Sequence, residues 1–296
     1  MAEFAPEPSS RLVKVADGID LRVIEWEPVY PSAGSTEFVL VHGLASNARM
    51  WEGVGSRLAA AGHRSVAVDL RGHGRSSKPE GPYDTPTVAD DVVLLLDLLG
   101  FERPIVAGQS WGGNVVVELA FRHPGRTAGI VPVDGGFIDL QGRFPEWEDC
   151  ERVMAPPKLA GTALARIEEY FRKANADWPP EGISGGLANF EVREDGTIAP
   201  WLTFERHIQV LRGLWEHHPR SRFPELTEPV LWCPADSGEV AWTTSKRAAL
   251  EEAERLLARS RTHWFSPAHH DIHAQQPDRL VEVLLGELAD GFFSTG

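Results

Sequence analysis

The stretch Ile105-Val106-Ala107-Gly108-Gln109-Ser110-Trp111-Gly112-Gly113 decides the reading of this chain. Three apolar residues suited to a buried strand run into Gly-x-Ser-x-Gly, and helical spacing follows over 113–122. A strand that turns at once into a helix lifts the residue at the turn, Ser110, clear of the sheet. Such a turn is strained and crowded, which is why small residues flank it. The five-residue pattern is weak alone, because a glycine-rich strand-to-helix turn can hold an incidental serine; its position between a strand and a helix gives it weight.

Working outward, 38–41, 65–68 and 130–133 repeat the unbroken apolar character of 105–107. Strands of that kind belong to a parallel sheet covered on both faces. Ahead of them, 12–15 and 21–26 flank Asp17-Gly18 and alternate as an antiparallel edge hairpin would. Helices are expected over 50–61 and over 87–99, the latter capped by Thr87 and stopped by Gly100. From Phe137 the alternation ceases: Pro156-Pro157, Pro179-Pro180 and Gly185-Gly186 punctuate two expected helices, 163–175 and 203–216, and a hairpin at Asp195-Gly196. It resumes with strand 230–233, helix 243–258, strand 262–265 and a final helix over 277–288. The pattern predicts an α/β protein, a mostly parallel sheet with helices on both faces. Residues 1–136 and 229–296 would form the core, interrupted by a mainly helical insertion, 137–228.

The chain has 296 residues, 42% hydrophobic and 24% charged, with a net charge of -14. That is enough apolar material for a sizeable core, and the acidic balance disfavours nucleic acid and anionic lipid as partners. The longest apolar run, 92–99, is broken by Asp97 and falls far short of the roughly 20 residues of a membrane span. The first ten residues carry Glu3, Glu7 and two prolines where a secretory signal needs basic and then apolar residues, so a cytoplasmic location is expected. Cys150 and Cys233 stand far apart with no metal-binding spacing and read as core residues, and no histidine pair suggests a metal site.

A serine hydroxyl needs an adjacent base, itself oriented by a third group. Asp236 follows the strand 230–233, and His270 lies in the loop after 262–265. Their order, Ser110, Asp236, His270, is that of one known serine-hydrolase architecture. Glu239 and Asp134, the latter at the end of 130–133, are rival acids, and His269 and His273 are rival bases.

On these residues the chain resembles the α/β-hydrolase-fold serine hydrolases over nearly its whole length. Val41-His42-Gly43-Leu44 is similar to the family's oxyanion loop, and Asp69-Leu70-Arg71-Gly72-His73-Gly74-Arg75-Ser76 to its Asp-x-Arg-Gly-His-Gly-x-Ser loop. The chain departs from the family where Cys233 and His269 replace glycines. The resemblance implies an oxyanion hole from the backbone N–H groups of Leu44 and Trp111, structural roles for His42 and His73, a cap built from 137–228, and no cofactor. Serine at the elbow sets the chain apart from the dehalogenase and epoxide-hydrolase branches, which carry aspartate there. Trp147, Trp178, Trp201, Trp215 and Phe137 are expected to shape an apolar pocket, although aromatics at such spacing also build a core. The expected substrate is a small hydrophobic ester or lactone, acted on by a monomer or homodimer. Amide or peptide cleavage of the iminopeptidase kind, C–C bond hydrolysis, and a slow-turnover ligand receptor are the alternatives.

Overall fold

The structure is a computed structural model that describes residues 7–32 and 34–294. The reading of the N-terminus as lacking a signal rests largely on Met1 to Pro6, which lie outside the described residues. Eight strands form one sheet: β1 (Ser9–Ala16), β2 (Ile19–Trp26), β3 (Phe38–Val41), β4 (Ser65–Val68), β5 (Ile105–Gln109) and β6 (Gly129–Val133) precede the insertion. Within it β7 (Phe190–Val192) and β8 (Ile198–Pro200) make a separate hairpin, and β9 (Val230–Trp232) and β10 (Ser260–Thr262) complete the sheet. The order is β1-β2-β4-β3-β5-β6-β9-β10, with β2 antiparallel to both its neighbours and the other pairs parallel.

The unbroken apolar strands are explained by two cores, one on each face. Side chains alternate along a strand, so Val39 and Val41 join one cluster while Phe38 and Leu40 join the other. Helices Thr85–Leu99 and Trp111–Arg122 cover the first face through Val88, Val92, Val115 and Leu119. Helices Glu52–Ala60 and Pro277–Ala289 cover the second through Val54, Leu58, Leu280 and Leu284. The insertion adds helices Leu140–Arg143, Trp147–Met154, Leu164–Ala174, Pro180–Leu187 and Phe204–Glu216. Its last helix buries Val210, Leu211 and Leu214 in the same cluster as the sheet, so the insertion shares a core with it.

Three local expectations are corrected. The helix expected to begin at Thr87 begins at Thr85, because the Asp84 carboxylate accepts the Thr87 N–H at 2.9 Å and serves as the cap. The helix expected from Thr243 begins at Val240, since the Thr243 hydroxyl turns away to donate to Asp236 at 2.9 Å. The last strand is Ser260–Thr262, and Phe265 makes only an isolated bridge to Ala235. This edge strand is polar and partly exposed, so hydropathy does not mark it.

Candidate active site

Ser110 stands between β5 and the helix Trp111–Arg122 with φ 53° and ψ −121°, a conformation that L-residues rarely adopt. Its neighbours hold it there. Ser110 N–H donates to Val133 O at 2.9 Å, and Gly113 N–H donates to Ser110 O at 2.9 Å. Gly135 permits the approach, because a Cβ on it would run into the Ser110 carbonyl. The buried Gln109 amide reaches from the same turn to the His270 carbonyl at 3.3 Å, tying the elbow to the histidine loop.

His270 pairs with the carboxylate at the end of β6. His270 Nδ1 lies 2.6 Å from Asp134 Oδ2. Asp134 is 2% exposed and its carboxylate is fully engaged: Ala235 N–H donates to Oδ1 at 2.9 Å, and Lys246 Nζ lies 2.7 and 2.8 Å from the two oxygens. Lys246 also donates to Ala235 O at 2.9 Å. Burial alone would raise the Asp134 pKa, but the His270 hydrogen bond and the charges of His270 and Lys246 hold it below the usual carboxylate range.

Asp236, expected to orient the base, does not reach it. Its carboxylate serves its own loop, accepting from Gly238 N–H at 3.0 Å, from Thr243 Oγ1 at 2.9 Å and from Ser266 Oγ at 3.4 Å. The strand-end signal that marked Asp236 marks Asp134 equally well, and the pairing with His270 separates them. Of the rival histidines, His273 is fully buried against the Trp51 ring at 4.4 Å, with its pKa pushed down to about 3 by burial. His269 is exposed and its backbone N–H donates to Gln275.

The expected oxyanion donors sit on either side of the serine. Gly43 packs so closely that a Cβ on it would lie 3.0 Å from the Ser110 Cβ. The N–H groups of Leu44 and Trp111 donate to no protein acceptor among the described residues. His42 pins this loop: burial pushes its pKa down to about 4, so the ring is neutral, and Nδ1–H donates to Gly43 O at 2.7 Å while Nε2 accepts from Leu70 N–H at 3.0 Å. His73 Nε2 likewise accepts from Ala45 N–H at 3.3 Å. Both histidines therefore bond their own turns and also reach across to a second loop.

Lys246 and Gln109 are contributors that sequence reasoning missed. Gln109 was inside the quoted motif with no role attached. Nothing local marks Lys246, on a helix far along the chain. Desolvation opposes a charged His270, whose side chain is about half-exposed, but the Asp134 hydrogen bond and the charges of Asp271 and Asp134 outweigh it and raise the pKa, while the Lys246 charge pulls it down. A base works when neutral, so the acid limb of kcat/KM is expected above the ordinary imidazole value of 6.5. Lys246→Met removes the lowering charge and is expected to move that limb to higher pH. A limb that stays in place or moves down would dismiss Lys246 as a contributor to the base's titration.

A family model described as the alpha/beta hydrolase fold matches residues 37–174. The chain has the α/β-hydrolase fold. Epoxide hydrolase B of Mycobacterium tuberculosis is 41% identical over 141 residues, covering 45% of this chain. The match spans only 39% of that relative's length. A crystal structure of E-2-(acetamidomethylene)succinate hydrolase superposes with a TM-score of 0.76 at 24% identity, over 95% of this chain and 99% of that one. Est816, titled as an N-acyl homoserine lactone degrading enzyme, superposes with a TM-score of 0.69 at 20% identity, over 93% and 99% of the two chains. At these identities the two structures speak for the fold alone. Among the described residues of this α/β-hydrolase-fold chain, no helix is long and apolar enough to cross a membrane.

Next to the oxyanion loop lies a cavity of about 590 Å³, floored by Ala45, Ser46 and Gly74 and walled by the insertion, including Trp201. Trp201 is the one residue of the expected aromatic set that lines it. Trp147 and Trp215 pack on each other at 5.9 Å, and the Arg212 guanidinium lies over both rings; Trp147 borders a separate, more open cleft with Tyr83. Trp178 packs edge-on against Phe171 at 5.8 Å, and Phe137 against Trp232 at 6.1 Å. These four side chains pack against neighbouring rings, the core role that their spacing equally allowed.

Proposed function

We propose that the protein is a serine hydrolase that cleaves a carboxylic ester or lactone through an acyl-enzyme. The observation that carries this reading is the His270 Nδ1 to Asp134 contact of 2.6 Å, at the C-terminal end of the strand next to the one that ends at the strained Ser110. His270 takes the Ser110 proton through Nε2 as Oγ attacks the carbonyl carbon, and Asp134 keeps the proton of the neutral ring on Nδ1 and stabilises the imidazolium that forms. The N–H groups of Leu44 and Trp111 receive the oxyanion, each such donor being worth about 3 kcal/mol. His270 then returns the proton to the leaving alcohol, activates a water, and the acyl group departs. Residues 137–228 serve as the cap over this site.

The sequence likeness to epoxide hydrolases is weighed by chemistry at the elbow. If Ser110 opened an epoxide it would be left as an ether, which has no carbonyl for water to attack. Carboxylate nucleophiles avoid this by forming an ester, whereas a serine matches acyl transfer. The test is a fluorophosphonate probe followed by peptide mass analysis, together with a chain-length series of p-nitrophenyl esters and several lactones. Labelling at Ser110 and turnover of esters or lactones is the expected result. Labelling elsewhere overturns the nucleophile; an initial burst with no further turnover on every substrate favours the receptor reading instead.

A further inference from the structure

The search for a group that the mechanism leaves unused leads to His207. It sits in the second turn of the helix Phe204–Glu216, 8% exposed, and lines the cavity beside the oxyanion loop. Among the described residues its imidazole has no hydrogen-bond partner, whereas His42 and His73, two nearby buried rings, use both nitrogens. The residue lines the cavity, and neither ring nitrogen is bonded within the described protein. Buried polar groups are overwhelmingly paired in folded proteins, so one left free on a cavity wall is a place for a ligand atom. Burial lowers its pKa to about 4, so at neutral pH the ring offers one donor and one acceptor and no charge.

The surroundings define what that ligand atom is attached to. Leu159, Phe190, Leu202 and Phe204 supply apolar wall, and the volume of about 590 Å³ lies within the range of small-molecule sites. Charged groups at the wall, Lys158, Arg193 and Glu205, are of mixed sign with a single positive excess, so no strongly charged ligand is selected. The lining residue Ala45 directly follows Leu44 in the chain, which puts the cavity beside the loop that carries the Leu44 N–H.

The geometry points to the cavity as the subsite for an apolar substrate arm that carries one neutral hydrogen-bonding group, a ketone, hydroxyl or amide, with His207 as the residue that selects it. This rests on the acyl-hydrolase reading and narrows its substrate class. Sites built to hydrogen-bond a substrate group discriminate strongly against analogues that lack it, because the protein partner is then left unpaired.

The test compares a medium-chain p-nitrophenyl ester with its isosteric keto analogue. The unsubstituted protein is expected to favour the keto ester in kcat/KM by about tenfold or more. His207→Phe is expected to abolish that ratio, and His207→Gln to retain part of it. Equal kcat/KM for the two esters in the unsubstituted protein, or a His207→Phe variant that keeps the ratio, overturns the assignment. Calorimetric binding of the same intact pair to Ser110→Ala reads recognition without chemistry. A keto preference there that His207→Phe removes supports the subsite even if no ester is turned over, and equal binding of the pair rejects it.

Discussion

Asp134→Asn is expected to lower kcat/KM in the ester assay by about 10³- to 10⁴-fold, whereas Asp236→Asn changes it by no more than about twofold. The asymmetry follows from what each carboxylate faces. Asp134 holds His270 Nδ1 at 2.6 Å from a buried position, so an amide there can present an N–H to Nδ1 and favour the wrong tautomer. Asp236 serves the Gly238 and Thr243 turn, and its loss is felt locally. Lys246 keeps an acceptor at Ala235 O and at the new amide oxygen, so Asp134→Asn should still melt cooperatively, a point that differential scanning calorimetry checks. A large loss for Asp236→Asn with little change for Asp134→Asn would restore the order expected from sequence.

The largest effect is expected at the nucleophile. Ser110→Ala should remove about 10⁶-fold of kcat, leaving the residual catalysis that an oxyanion hole and binding provide on their own. The strain at φ 53° adds a second readout. Alanine keeps the Cβ and hence the strain, while Ser110→Gly releases it, so Ser110→Gly is expected to be inactive and about 1 kcal/mol more stable than the unsubstituted protein. A Ser110→Gly variant that is less stable than Ser110→Ala would show that the elbow is relaxed. Retention of ester turnover by Ser110→Ala would remove the serine from the mechanism.

The central strands were legible because each is buried on both faces and leaves an unbroken apolar run, as at Phe38–Val41 and Ser65–Val68, both found at the expected residues. Local sterics made the elbow legible too, since crowding at a tight turn writes glycines next to the serine. The carboxylate that meets His270 was only half legible. Asp134 and Asp236 both follow strands, and choosing between them needs the position of His270, far along the chain in both cases. Lys246 left no local trace, because ion pairing to a buried carboxylate sets no pattern on its own helix. The pocket was the least legible feature. Aromatic content says that rings are buried, and Trp147, Trp178, Trp215 and Phe137 are seated against other rings, while the direction of each ring is set by packing between distant elements.

The adjacency of β5 and β6 has a further consequence for how this chain could be re-engineered. Ser110 and Asp134 close two neighbouring strands, and both precede residue 137, so the first portion of the chain carries them on a rigid frame. Only His270 has to be brought back across the insertion. Exchanging 137–228 for a foreign segment therefore leaves Ser110 and Asp134 in register and puts the whole burden on the return into β9. Outright deletion is a different matter, since Val210, Leu211 and Leu214 would leave a hole in the core that the sheet shares with them. The segment can be exchanged, provided that its replacement refills the same face.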